Sequence, residues 1–170
     1  MNKKDANLGK DIAASIEVCP GVKGLKLAAS YYNGDYLLDN EFKINDTLTI
    51  NHKDNFANRD RLTFGGKYEN GKLTVRSEYI YGETGMGDRK AGEYYLLESD
   101  GFYVAAGYWF NYTCKKTGLQ HKIRPVARYD FFREDITEIN TNSTYYMVGV
   151  DWWPMQNLRL LVNYTLKDKV

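Results

Sequence analysis

Apolar and polar residues alternate with a period of two in about eight windows of this chain, and turn or loop residues bound each window. Successive side chains of a β-strand point to opposite faces of a sheet, so this period predicts strands that have one apolar face. No window has the pattern of a convincing long helix. The predicted strands are residues 11–18, 25–36, 61–69, 72–81, 101–110, 123–133, 145–154 and 158–165.

The predicted connections alternate between short and long, which is typical of barrels that have short turns at one end and long loops at the other. Asn70-Gly71 indicates a two-residue type I′ turn, because both central positions of that turn need a positive φ. Glycines 85 and 87 fall in a predicted loop. In chain order the connections are residues 19–24 (short), 37–60 (long), 70–71 (tight), 82–100 (long), 111–122 (medium), 134–144 (polar) and 155–157 (tight).

One face of the predicted strands is apolar, whereas the other carries the charged residues. In the last strand Leu158, Leu160 and Val162 alternate with Arg159 and Asn163. A lipid-facing band would have this form, with aromatic side chains at its rims. The aromatic residues predicted for that band are Tyr31, Tyr79, Tyr81, Tyr108, Tyr129, Tyr146 and Trp152. The period does not distinguish the inside of a barrel from its outside, so soluble β-sandwiches and lipocalin-like barrels remain alternatives.

The composition favours β-strands that meet an interface. The 170 residues include 15 tyrosines, and 15% of the chain is aromatic, which suits a surface with one apolar and one wet side. A mean hydropathy of -0.57 would by itself indicate a soluble protein. However, a membrane-spanning strand needs only about 10 residues that are apolar on one face. Lys+Arg 23 against Asp+Glu 22 gives no global basic field for nucleic acid.

Three segments carry a family resemblance. They are GFYVAAGY at residues 101–108, PVARY at 125–129, and GVDWWPMQNLR at 149–159 followed by Asn163-Tyr164. In this order they resemble strands of the phosphate-selective porin O and P family. The resemblance implies a Gram-negative outer-membrane porin, a trimer of sixteen-stranded antiparallel transmembrane β-barrels whose lumen arginines and lysines guide anions.

Under this resemblance, residues 1–170 would form a single partial β-barrel domain, corresponding to the C-terminal half of such a barrel. Residues 1–10 lack the apolar core of a signal peptide, and the end of the chain lacks a terminal aromatic residue. We therefore expect a chain truncated at both ends.

The charged face would line the lumen of this porin. Guanidinium groups hold phosphate through forked hydrogen bonds, and rows of Arg and Lys make a pore favour anions. The predicted anion-binding residues, in order of expected importance, are Arg128, Arg159, Arg124, Arg76, Lys67 and Lys26. Glu17, Glu78, Asp130 and Asp151 share this face and can pair with those cations, in which case each pair would contribute only about 0.2 to 1 kcal/mol to the wall.

The predicted function is passive diffusion of small hydrophilic solutes, and anions such as phosphate in particular, through the outer membrane. We expect no enzyme, no cofactor and no metal site: His52 and His121 are isolated in predicted loops, and Cys19 and Cys114 lack metal-ligand spacing. The expected partners are outer-membrane lipid, small anions and, in a homotrimer, further copies of the chain, but no nucleic acid. Two alternatives stay open: a closed eight-stranded barrel that acts as an anchor or adhesin, and a soluble ligand-binding β-barrel.

Overall fold

A computed structural model describes residues 11–37, 42–45, 48–50, 56–88, 93–138, 140–155 and 157–169. Residues 1–10 and His52 lie outside the described residues. The strands are β1 (Ile12–Val18), β2 (Leu25–Leu37), β3 (Phe42–Asn45), β4 (Leu48–Ile50), β5 (Phe56–Asn70), β6 (Leu73–Asp88), β7 (Glu93–Tyr108), β8 (Phe110–Thr113), β9 (Gln120–Arg133), β10 (Asn142–Met155) and β11 (Leu158–Lys169). This part of the chain contains no helix long and apolar enough to cross a membrane.

Eight of these strands form one continuous antiparallel sheet in the order β1-β2-β5-β6-β7-β9-β10-β11. The predicted all-β antiparallel fold, with about eight principal strands, is confirmed. β3 and β4 form a small hairpin between β2 and β5, and β8 prolongs the pairing of β7 along β9. Within the described ranges β1 pairs only with β2 and β11 only with β10, so the sheet is open, as part of a larger barrel would be.

Successive connections alternate between the two ends of the sheet, but the predicted alternation of short with long fails where only residues 89–92 separate β6 from β7. Residues 19–24, 71–72, 114–119 and 156–157 join strands at one end of the sheet, which we call the short-turn end. Residues 38–55, 89–92 and 134–141 separate the principal strands at the opposite end, which we call the long-loop end. Both described cysteines, Cys19 and Cys114, lie at the short-turn end and have free thiols.

Three predicted loops were wrong, because strands occupy parts of them. The predicted loop 37–60 contains β3, β4 and the first residues of β5. β6 and β7 extend to Asp88 and from Glu93, so most of the predicted loop 82–100, glycines 85 and 87 included, is an antiparallel ladder. β8 pairs with the start of β9, which reduces the predicted connection 111–122 to residues 114–119 and places His121 in a strand. Backbone ladder bonds need no apolar face, so a strand with polar side chains loses the period-two signal while keeping its hydrogen bonds.

The tight turn after β5 is displaced by one residue from its prediction. Asn70 still pairs with Leu73, so Gly71 and Lys72 form the two-residue turn. Gly71 has a positive φ of 49°, and no non-glycine residue in the described part has one. A type I′ turn needs two positive φ angles, so this turn is of another type.

No described part of the chain packs against the apolar face of the sheet. Val162, Tyr164 and Ile16 are 70%, 63% and 62% exposed, and Ala57 is the one buried hydrophobic residue in the described part of the chain. A β-sandwich buries this face against a second sheet. The exposed apolar face therefore argues against a soluble sandwich.

Gly21 and Gly24 provide a matched test of the β1–β2 turn. Both have positive φ angles, 81° and 84°, but a Cβ at Gly24 would overlap the Glu69 carbonyl oxygen, whereas a Cβ at Gly21 meets nothing within 4 Å. Gly21→Ala should lower the free energy of unfolding by about 1 kcal/mol because of its left-handed backbone. Gly24→Ala should lower it by roughly 2 kcal/mol more, because the backbone of β5 must move. Urea unfolding followed by tryptophan fluorescence measures both, and equal losses would contradict the close approach at Gly24.

Candidate functional site

All six predicted cations lie on the face of the sheet opposite the apolar one, which we call the inner face. The strand registers show this directly. Lys26 is opposite Lys67, Lys67 is opposite Arg76, and Arg128 follows on the same row beyond Ala105 of β7. Arg124 and Arg159 join the inner face through their common contact with Asp151.

Four of these cations form a row across the strands, the cation row: Lys26, Lys67, Arg76 and Arg128. Its first three members are direct cross-strand neighbours. Like charges placed directly opposite each other destabilise a sheet. The row therefore concentrates positive charge at one level of the sheet, and negative groups placed near it stabilise the sheet.

Three members of the cation row already have a carboxylate partner. Lys26 Nζ donates to Glu17 Oε1 at 2.7 Å in an exposed pair, and Lys67 pairs with Glu69. Such exposed pairs contribute little stability. The partner of Arg128 is Asp130, described next.

The guanidinium of Arg128 contacts Asp130 through hydrogen bonds and Tyr103 through its ring face. Its Nε donates to the two carboxylate oxygens of Asp130 at 2.8 and 2.9 Å. Its guanidinium carbon lies 4.2 Å from the centre of the Tyr103 ring, in a cation-π contact. The charge of Arg128 is thus largely compensated, and its side chain is fixed in orientation.

Arg76 differs from the rest of the row. It is exposed, and no carboxylate of the described residues lies within 4 Å of its guanidinium nitrogens. Glu78, on the same strand and the same face, also makes no ion pair within the described ranges. Arg76 is therefore the member of the row whose charge and forked donors are available to a solute.

A second group of inner-face residues surrounds Asp151 and is called the Asp151 cluster: Asp151, Arg124, Arg159, Trp109 and Trp153. Asp151 is 1% exposed. Its carboxylate accepts hydrogen bonds from Arg159 Nε at 2.8 Å, from Arg159 Nη2 at 3.0 Å and from Arg124 Nη2 at 2.8 Å. The indole N–H of Trp153 donates to the same carboxylate at 3.0 Å.

The two tryptophans of this cluster stack against its arginines. The guanidinium of Arg124 lies 4.5 Å from the centre of the Trp109 ring, and that of Arg159 lies 5.7 Å from the Trp153 ring. Sequence reasoning missed Tyr103, Trp109 and Trp153 as site residues. The available signal was that Tyr103 and Trp153 have the same strand parity as the inner-face charges.

The outer face carries the predicted aromatic residues and a polar border. Tyr31, Tyr79, Tyr108, Tyr146 and Trp152 are all exposed there, between 39% and 50%. The remaining two, Tyr81 and Tyr129, share this face by register. Neighbouring rings touch across strands, as Tyr129 does with Tyr146, with ring centres 5.3 Å apart.

Carboxylates lie at the border of this apolar face, at the long-loop end. Arg133 makes a forked pair with Asp100, with both nitrogen–oxygen distances 2.6 Å, and Tyr79 donates to the same carboxylate at 3.1 Å. Tyr81 donates to Glu83 and Glu98 at 2.9 and 3.0 Å. The period-two pattern gives no sign of this border, because most of its residues lie in the stretch predicted as a loop.

A protein-family model described as phosphate-selective porin O and P matches residues 1–169. The chain belongs to this family. The match extends the resemblance beyond the three segments at residues 101–164 to the N-terminal strands of this porin. A search of curated proteins found no match.

Metal ligation and the surroundings of the described histidine are the other chemical features of this porin. Within the described ranges no group of three His, Cys, Asp or Glu side chains has the geometry to hold a metal ion. His121 stacks on Tyr112, with ring centres 6.1 Å apart. The charged inner face is therefore the candidate functional site.

The assignment of the two faces is testable with neighbouring cysteines. Val75 and Arg76 are adjacent on β6 but belong to opposite faces. With Cys19 and Cys114 replaced by serine, we expect Arg76→Cys to react with a small water-soluble thiol reagent roughly tenfold faster than Val75→Cys, because thiol modification needs a solvated thiolate. The porin should be reconstituted in lipid vesicles and the modified fraction followed by mass spectrometry. Equal rates at the two positions would contradict the assignment.

Proposed function

We propose that this porin chain forms part of the wall of a passive outer-membrane channel. The channel would admit small hydrophilic solutes and would prefer anions such as phosphate. The observation that carries the proposal is the cation row, in which Lys26, Lys67 and Arg76 are direct neighbours and Arg76 has no carboxylate within 4 Å in the described part of the chain. Rows of Arg and Lys in a pore attract anions, and a guanidinium binds phosphate through two parallel hydrogen bonds.

The outer face has the dimensions of a lipid-facing band. On β9 its apolar side chains run from Ile123 to Phe131. These eight residue steps span about 27 Å along the strand at about 3.4 Å per residue. A strand tilt of about 40° reduces this to about 21 Å across the membrane, close to the apolar band of about 25 Å in outer-membrane barrels. Aromatic side chains and then carboxylates follow at the long-loop end, as a membrane border requires.

The open sheet supports a barrel larger than eight strands. A closed eight-stranded barrel would pair β1 with β11, and the described residues of these strands pair only with β2 and β10. Eight strands also leave an interior just wide enough for side chains, whereas the inner face here is lined with charged groups that need water. We therefore favour the sixteen-stranded homotrimer typical of the family over the anchor or adhesin.

The structure suggests different roles for the six predicted lumen residues. Arg76 is our choice as the principal anion contact, with Lys67 and Lys26 extending the positive field. Arg128, Arg124 and Arg159 are paired with carboxylates, so they present oriented donors with less net charge. No step of such transport requires a cofactor or covalent chemistry.

Replacing Arg76 tests the role of the cation row. Arg76→Gln should lower the anion-to-cation permeability ratio at least about twofold and weaken block by phosphate, because a charged forked donor is lost. The measurement is the reversal potential in a planar bilayer under a chloride gradient, repeated with added phosphate. Arg133→Gln, which removes the same charge from the outer face, is the control and should leave both values unchanged. Unaltered selectivity in Arg76→Gln would refute the proposed role of this residue.

The native cysteines test the orientation in the membrane. Short turns of outer-membrane barrels face the periplasm, so we expect a maleimide–polyethylene glycol too large for the pore to leave Cys19 and Cys114 unmodified in intact cells. The reagent should modify both after the outer membrane is permeabilised. A hydrogen bond from the Thr117 hydroxyl lowers the pKa of the Cys114 thiol, which favours its reaction at neutral pH. Modification in intact cells would place the short-turn end outside.

A further inference from the structure

Asp151 is a buried acid on a face whose other charges are mostly solvated. Its exposed fraction is 1%, against 23% and 48% for the side chains of Arg124 and Arg159. An ionised carboxylate at such a position needs partners for its lone pairs. The Asp151 carboxylate accepts four hydrogen bonds, three from the two arginines and one from the indole N–H of Trp153.

The arginines that bind Asp151 come from the strands on either side of it. Asp151 lies on β10, Arg124 is its direct neighbour on β9, and Arg159 lies on β11. The ladder between β10 and β11 is irregular between Trp152 and Met155, just where Arg159 turns back towards Asp151. One carboxylate thus connects three adjacent strands near the short-turn end.

Each arginine keeps donors that Asp151 does not use. A guanidinium has five N–H donors. Arg159 uses its Nε–H and one Nη2 hydrogen on Asp151, and Arg124 uses one Nη2 hydrogen. The Nε–H of Arg124 is buried, so the free donors of Arg124 are on its two Nη atoms. Because Trp109 and Trp153 lie against the guanidinium groups, neither group rotates freely. The remaining donors therefore point in fixed directions, and the two arginines and one aspartate give the Asp151 cluster one net positive charge.

From this geometry we infer that Asp151 is a positioning residue, which holds Arg124 and Arg159 so that their free donors form a second, oriented anion-binding subsite at the short-turn end of the channel. The inference rests on the proposed channel function. The inference assigns different causes to two properties of the lumen. Net charge would set the preference for anions over cations, whereas fixed donors would set the preference for phosphate over chloride.

The two properties are distinguished by two variants with the same change of charge. Asp151→Asn and Glu78→Gln each remove one negative charge from the inner face, but Glu78 makes no ion pair with an arginine among the described residues. Both variants should shift the bilayer reversal potential in the anionic direction. Only Asp151→Asn should raise the phosphate concentration for half block of the chloride current, by about fivefold, while Glu78→Gln should change it less than about twofold.

Trp153→Phe covers the case in which Asp151→Asn does not fold. It removes one hydrogen bond to Asp151 and leaves every charge in place. We expect the half-blocking phosphate concentration to rise about twofold with an unchanged reversal potential. Correct folding of each variant is checked by the heat-dependent shift of the protein on a detergent gel.

The outcomes separate this inference from the channel itself. A weaker phosphate block in Asp151→Asn or Trp153→Phe, with Glu78→Gln unaffected, supports the positioning role. Equal block in Asp151→Asn and Glu78→Gln, or a stronger block in Asp151→Asn, overturns it, since Asp151 would then act only through its charge or as a competitor of the anion. If the unsubstituted porin does not conduct, the proposed channel function fails and the positioning role fails with it.

Discussion

The antiparallel hydrogen-bond ladder is the constraint on which the rest of this structure depends. It fixes adjacent strands in register, and the register then decides which side chains share a face. A slip of one residue between β5 and β6 would exchange Arg76 for Val75 and turn a guanidinium towards the apolar side. The separation of an apolar face from a charged face is therefore a property of backbone pairing, and both faces are needed for a channel wall.

The charged face is itself divided into two kinds of cation. In the cation row, Lys26 and Lys67 make only exposed ion pairs, and Arg76 makes none in the described part of the chain. The orientations of these three side chains are therefore weakly fixed. In the Asp151 cluster, burial, forked hydrogen bonds and indole rings restrict the arginines and cancel half of their charge. Under the proposed function, the attraction of anions and the discrimination among them would therefore fall to different residues of one sheet.

The period-two pattern predicted the eight principal strands, their antiparallel order and the membership of both faces, because alternation follows directly from strand geometry. It failed at residues 82–100, where polar side chains and glycines sit in a ladder that only backbone groups maintain. Parity also placed Arg124, Arg128 and Arg159 on the charged face correctly. It did not reveal that carboxylates hold all three while Arg76 has none, since ion pairing depends on rotamers and on the irregular ladder near Trp152, which no local pattern records.

The close placement of Lys26, Lys67 and Arg76 has a thermodynamic consequence for the empty wall. Repulsion between neighbouring cations opposes the pairing of β2, β5 and β6. Glu17 and Glu69 offset it at the two lysines, which leaves the charge of Arg76 uncompensated. In the proposed channel, an anion bound at Arg76 would neutralise this charge, and by linkage a ligand that binds only the folded wall would also stabilise it. Under the proposed function, the solute in transit would also be a structural counterion, and the wall would be most stable while an anion occupies it.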